Sequence, residues 1–329
     1  MRNLLPIGFV QVDGKYPNLA LMQFSQWYES AGYKVEWWKK GREYRRVIGS
    51  KMFEHSRMTP GLPRDAWIGG TGIDWKIRLP KMVEKMPPSY TLYPDVDFTL
   101  GFTMKGCRLQ CDFCCVSKIH GFPRHHKNVR DLIWDRDGRL RNPNTQKRFI
   151  ALDDDSFGNP KWREVLEEMI ELKWKYALIQ GINARSLRQD QANLLAQIKT
   201  YNGSFKKRAL YFAWDQPWAK HDERLVFRGI DRMVKAGINP KHMVCYVLVG
   251  YNSTHQEDRY RVEKLLGIGA RPFVMCYKTA NKEARAYARY INRPAIREST
   301  SWEDYYYNPD NVRMRETNPN QSQLFGGHL

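Results

Sequence analysis

The chain is 329 residues long, 42% hydrophobic, and carries 54 lysines and arginines against 35 aspartates and glutamates, a formal charge of +19. A hydrophobic share of that size supports a buried core and excludes global disorder, and no apolar run approaches the ~18 residues that a membrane-spanning helix needs. The surplus of cations favours polyanionic partners, nucleic acid first, and the runs 39–46 and Lys206-Lys207-Arg208 set basic residues beside aromatics, as suits phosphate contact and base stacking.

Residues 4–10 read as a first β-strand rather than a signal peptide. A helix over 19–31 follows, with Leu21, Phe24, Trp27 and Tyr28 at the spacing of one face, then strands at 33–38 and 47–53. Residues 1–57 therefore predict a small Rossmann-like βαβ unit. Residues 58–94 are rich in Gly and Pro and read as a connector. Within it, Gly69-Gly70-Thr71-Gly72 could cradle a phosphate. Strands are expected at 98–104, 148–153, 176–182, 208–213, 243–249 and 272–277, with amphipathic helices such as 162–173 and 225–236 between them. Six parallel strands alternating with helices predict an α/β fold, a partial (β/α)6 TIM-like barrel over residues 95–292. The extension 293–329 is polar and expected to be partly disordered.

Cys107, Cys111 and Cys114 stand as C-x3-C-x2-C where the first barrel strand should end, the end of a parallel sheet at which chemistry gathers. Three thiolates so closely spaced suit three corners of a four-iron, four-sulfur cluster, leaving one iron open. Zinc is the alternative, completed by His120, His125 or His126, although no second C-x2-C half is present. Clustered thiols without a signal peptide fit a reducing, cytoplasmic setting. Cys115 reads as a spectator, and Cys245 and Cys276 as core residues.

The cysteine spacing, with Phe113 just before the third cysteine, resembles the signature of the radical S-adenosylmethionine superfamily. That resemblance implies a [4Fe-4S] cluster on Cys107, Cys111 and Cys114, S-adenosyl-L-methionine chelated to the open iron, and an external flavodoxin- or ferredoxin-like electron donor. It also implies reductive cleavage of the cofactor to a 5′-deoxyadenosyl radical that abstracts hydrogen from substrate. By the same resemblance Phe113 lies near the adenine, and the acids after the second strand receive the methionine ammonium. Here those acids are Asp153, Asp154 and Asp155, in place of the family's glycine-glycine-glutamate. Three adjoining carboxylates repel each other unless a cation neutralises them, so they invite a positive partner. At the third strand's end stand Asn183 and Arg185, the latter suited to a carboxylate or phosphate. At the fourth, Asp215 could meet a ribose hydroxyl. Val249-Gly250 at the fifth resembles the family's apolar strand and glycine turn beside adenine.

The N-terminal unit resembles a shortened cobalamin-binding domain of radical enzymes, without the D-x-H-x-x-G motif that supplies histidine to cobalt. Gln321-Ser322-Gln323-Leu324-Phe325 resembles a peptide that docks on bacterial sliding clamps, through Gln321, Leu324 and Phe325. The expected substrate is a nucleobase or nucleic acid, with a small metabolite or peptide as the alternative. A non-catalytic, zinc-stabilised nucleic-acid-binding protein is the alternative from another class.

Overall fold

The computed structural model describes residues 5–14, 16–215 and 222–308. Near the N-terminus, strands β1 (Ile7–Gln11), β2 (Val35–Trp37), β3 (Arg46–Ser50) and β4 (Trp67–Gly69) form a parallel sheet in the order β2-β1-β3-β4. The expected Rossmann-like unit thus takes a fourth strand from the connector. Gly69-Gly70-Thr71-Gly72 is not a phosphate cradle but a packing surface. A Cβ on Gly70 would lie 2.3 Å from the Lys51 carbonyl oxygen, and one on Gly72 would lie 2.6 Å from the Phe53 backbone. The glycines let two backbones touch, and that contact fills the space a phosphate would need.

Helix α1 (Leu19–Ser30) starts at Asn18, whose Oδ1 accepts the Leu21 N–H at 3.2 Å. Its apolar residues serve two surfaces rather than one. Leu21 and Phe24 pack on Ile7, Phe9 and Ile48 of the first sheet. Met22 instead joins Leu100, Ile150 and Ala177, which belong to the larger sheets. The helix is therefore a shared layer between the N-terminal unit and the rest of the chain. The short helix α2 (Lys81–Glu84) lies in the connector, where the Gln23 amide donates to the Glu84 and Met86 carbonyls.

The main body contains β5 (Thr99–Gly101), β6 (Met104–Lys105), α3 (Val116–His120), β7 (Arg124–His125), α4 (Val129–Ile133), β8 (Arg148–Ala151), α5 (Trp162–Leu172) and β9 (Lys175–Leu178). It continues through α6 (Gln189–Ala196), β10 (Leu210–Ala213), α7 (Asp222–Lys235), β11 (Met243–Val249), α8 (His255–Gly267), β12 (Arg271–Cys276) and α9 (Lys282–Ile291). Two three-stranded parallel sheets result, β5-β8-β9 and β10-β11-β12, linked by the parallel bridge Ile182–Phe212. The α/β class is as expected. The strands are laid down as two sheets with one bridge between them, and no closed barrel occurs among the described residues. Alternate residues of β8 and β9 sort cleanly: Phe149, Ala151, Tyr176 and Leu178 face the helices, while Ile150 and Ala177 face α1.

Past residue 293 the chain forms α10 (Pro294–Ser299) and α11 (Trp302–Tyr307), where an irregular extension was expected. Trp302 and Tyr305 are buried, and Trp302 meets the α9 ring of Tyr287 edge-on at 5.1 Å. The clamp-peptide residues Gln321, Leu324 and Phe325 lie outside the described residues. Among the described residues no helix is long and apolar enough to cross a membrane.

Candidate functional site

The cysteine loop leaves the β5–β6 corner and returns through α3 to β7, which pairs antiparallel with β6. This hairpin closes the loop's neck. Gly106 stands at the neck with φ +92°, and a Cβ there would sit 2.2 Å from the Phe122 carbonyl oxygen. The Cys107 N–H donates to the Gly121 carbonyl at 3.1 Å, and the Cys114 N–H to the Cys111 carbonyl at 3.0 Å. Cys107, Cys111, Cys114 and Cys115 are all half-buried and none is in a disulfide.

Asp153, Asp154 and Asp155, at the end of β8, divide the loop between them. Asp153 accepts the Thr103 and Met104 N–H groups at 2.6 and 3.1 Å, and the Thr103 hydroxyl as well. Asp154 accepts the Gly106 N–H at 2.7 Å and the His120 Nδ1 at 2.6 Å. Asp155 takes a paired contact from Arg108, Nε to Oδ2 at 2.6 Å and Nη2 to Oδ1 at 2.9 Å. Arg108 also reaches the Ser186 hydroxyl at 3.2 Å, beyond β9. The positive partner that three carboxylates require is therefore supplied from within the motif. Asp153 is fully enclosed, and burial pushes its carboxyl up to about 6 against the pull of its hydrogen-bond donors. All three acids shape the loop.

Phe113 turns toward the opposite sheet. Its ring meets Tyr251, just past β11, at 5.4 Å, and Tyr251 meets Tyr277, just past β12, at 4.6 Å. The loop thus spans from β5 to β12 across the C-terminal ends of both sheets. Beside it, the turns after β11 and β12 wall a cavity of about 590 Å³ that includes Gly250, Asn252, Thr254 and Asn281. Gly250 has φ +74°, and a Cβ on it would lie 2.6 Å from the Ala280 Cβ. Val249 is fully buried in the core, and its carbonyl accepts the Tyr277 N–H at 2.9 Å.

The remaining expected residues stand at strand ends but are engaged differently. Asn183, half-buried before a 3-10 turn, makes no side-chain hydrogen bond among the described residues. Arg185 pairs with Asp222 at 3.0 Å. Asp215 accepts the Leu248 N–H at 2.9 Å, and burial pushes its carboxyl up to about 6. Behind it, fully buried Arg261 donates to the Trp214 and Leu248 carbonyls at 2.6 and 2.7 Å and to Asp258 at 2.5 Å. Arg185 and Asp215 thus brace the ends of β9–β11. Sequence reading missed Arg108, Ser186, Tyr251 and Tyr277, and took His120 for a metal ligand rather than a partner of Asp154. Arg108 was discoverable, since it is the cation inside the cysteine motif.

Two of the loop's sulfurs are met by backbone donors, as thiolate ligands require. Backbone N–H groups of Leu109 and Val116 point at the Cys107 and Cys114 Sγ atoms, at 3.3 and 3.5 Å. Such N–H···S contacts stabilise thiolates bound to iron. Without a metal, burial pushes the Cys107 and Cys114 thiols up to about 11, so binding must displace their protons. A single zinc ion draws its donors to within ~2.3 Å of one point. Among the described residues no three His, Cys, Asp or Glu side chains converge in that way. His120 Nδ1 meets Asp154, and burial, aided by the charges of Lys105 and Lys127, holds His126 down to about 4.

Fold and site together define an α/β protein with parallel sheets and a three-cysteine loop at their C-terminal ends. Compared with protein-family models, curated proteins and solved structures, the chain matches none.

Proposed function

We propose that the chain is a radical S-adenosylmethionine enzyme whose two sheets are the halves of a partial (β/α)6 barrel. The observation that carries this reading is the C-x3-C-x2-C loop, tied by three consecutive carboxylates to the C-terminal end of a parallel sheet. Cys107, Cys111 and Cys114 would hold a [4Fe-4S] cluster. Such a cluster would supply the electron that cleaves bound S-adenosylmethionine to methionine and a 5′-deoxyadenosyl radical for hydrogen abstraction. The chain's own residues bind, orient and exclude water. The Leu109 and Val116 amides steady two of the sulfurs, and Phe113 with Tyr251 walls the loop from solvent. Asn183, whose side chain makes no hydrogen bond among the described residues, offers a polar group to the cofactor. An external flavodoxin- or ferredoxin-like donor supplies the electron.

A nucleobase or nucleic acid is the substrate class that the rim favours. Exposed Phe122 and Trp75 stand there with Arg78, which bonds the Lys118 carbonyl, and with Arg124, which bonds the His120 carbonyl. The second reading, a small metabolite or peptide, draws on the open cavity beside β11. The deciding experiment is anaerobic incubation of reconstituted protein with S-adenosylmethionine and dithionite, quantifying 5′-deoxyadenosine with and without nucleic acid. Stimulation by nucleic acid, with a mass change in digested nucleosides, supports the first reading. Equal product without it favours the second. No product, from protein holding zinc and no sulfide, overturns both.

A further inference from the structure

The other end of the sheets carries an unexplained charge. Segments 145–149, 173–176, 199–210, 237–243 and 268–273, which lead into β8–β12, contain ten lysines and arginines and no carboxylate. Strand register puts them in one row. Arg148 is the pairing partner of Lys175, Tyr176 bridges to Thr200, Tyr201 bridges to Arg208, and Val244 of β11 pairs with Arg271. Arg271 donates to the Arg208 carbonyl at 2.8 Å, joining the β10 and β12 ends of the row within the second sheet. Tyr201 holds two of these cations in place, the Lys175 Nζ at 5.1 Å and the Arg208 Cζ at 5.4 Å from its ring centre. Lys199, Lys206, Lys207 and Lys241 stand exposed around the row. Asp97 reaches Arg148, and among the described residues no other cation of this row has a carboxylate partner.

The geometry points to a sequence-independent anchoring face for the sugar–phosphate backbone of nucleic acid, at the strand N-termini and away from the cysteine loop. Neighbouring strands lie ~4.8 Å apart, so five of them present cations over ~20 Å, the length of about six base pairs. The seven residues of β11 put this face ~23 Å from the cysteine end. A phosphate held here cannot deliver its own base to the loop, so the face localises the protein and leaves the opposite end free. Tyr201 is engaged with cations, which favours backbone contact over base stacking. This inference goes beyond the radical reading and requires no iron.

The test is fluorescence anisotropy of labelled 20-base-pair duplexes of two unrelated sequences, bound to the full chain with and without iron, across a salt series. The comparison is between K199E/K206E/K207E on this face and K34E/K161E/K282E elsewhere, which change the net charge equally. Each neutralised phosphate contributes ~0.9 to the slope of log affinity against log salt, so the first variant should lose about 2–3 from the slope and at least tenfold in affinity. The second should change less than threefold, and the two duplexes should bind alike. Thermal melting checks folding, and the milder K199Q/K206Q/K207Q should show the same order of effects. Equal weakening by both variants, absence of duplex binding, or preferential binding to phosphatidylserine vesicles through the same lysines would overturn the proposal.

Discussion

Arg108 and Asp155 meet in a two-point contact, Nε–Oδ2 at 2.6 Å and Nη2–Oδ1 at 2.9 Å, although 46 residues separate them in the chain. One lies inside the cysteine motif and the other at the end of β8, so the pair fixes the loop to the sheet. Asp155 is 2% exposed and Arg108 38%, which tempers the energy of the pair. Asp155→Ala should cost about 1–2 kcal/mol of stability. It should lower iron retained after reconstitution at least threefold. Arg108→Ala should do the same, and the double variant should be no worse than Asp155→Ala alone. Additive losses in the double variant would show that the contact does not organise the loop.

Two glycines at the loop's neck separate backbone strain from steric contact. Gly106 and Gly121 both have positive φ, +92° and +70°. A Cβ on Gly106 meets the Phe122 carbonyl oxygen at 2.2 Å, whereas one on Gly121 meets nothing within 4 Å. Gly121→Ala should therefore cost about 1–3 kcal/mol, the strain of an alanine held at φ +70°, ψ −147°, a region essentially reserved for glycine. Gly106→Ala adds a collision and should cost about 2–4 kcal/mol. Urea midpoints at constant slope measure both. Equal losses would mean that the neck opens freely, contrary to the β6–β7 pairing.

Much of the main body was legible because buried parallel strands leave continuous apolar runs. All six expected strands occur, and β8 stops at Ala151 rather than 153 because Asp153 turns away to bind Thr103. β4 has three residues in a Gly/Pro-rich stretch, too short for any period to show. The helices after residue 293 went unread because their burial rests on rings from α9 rather than on an apolar stripe of their own. At the site, the cysteines were legible from spacing alone. The duties of Asp153, Asp154 and Asp155 were not, since their partners lie about 30–50 residues away and no local pattern encodes such pairing.

Asp215 gives the fold a pH dependence with a definite sign. Burial raises its carboxyl from the ordinary 3.8 to about 6, against the opposing effects of the Leu248 N–H and of Arg261 and Arg185. The folded state holds this proton more tightly than the unfolded chain. Its contribution is thus full below pH ~4 and lost as pH rises through ~6, at most about 3 kcal/mol. Asp215→Asn keeps an acceptor for the Leu248 N–H and cannot titrate. Relative to wild type, the variant should gain about 2–3 kcal/mol between pH 4 and pH 7 in urea denaturation. Parallel stability profiles would show that Asp215 is solvated and ionised in the fold.

Four cysteines stand within nine positions of the loop, and only three have the spacing that a site-differentiated cluster requires. Cys107 and Cys114 each receive a backbone N–H at sulfur, whereas Cys115 begins the turn into α3. A fourth thiolate on the cluster would close the iron that S-adenosylmethionine needs. Cys107→Ala, Cys111→Ala and Cys114→Ala should each lower bound iron and sulfide at least fivefold, while Cys115→Ala should retain both. Since all four side chains are half-buried, each loss should leave the far-ultraviolet circular dichroism unchanged. The readout is iron and acid-labile sulfide per chain, determined beside zinc. Equal losses for Cys115→Ala would make it a ligand and remove the open coordination position. Stoichiometric zinc without sulfide, lost in the same three variants, would assign the loop to a structural metal and end the radical reading.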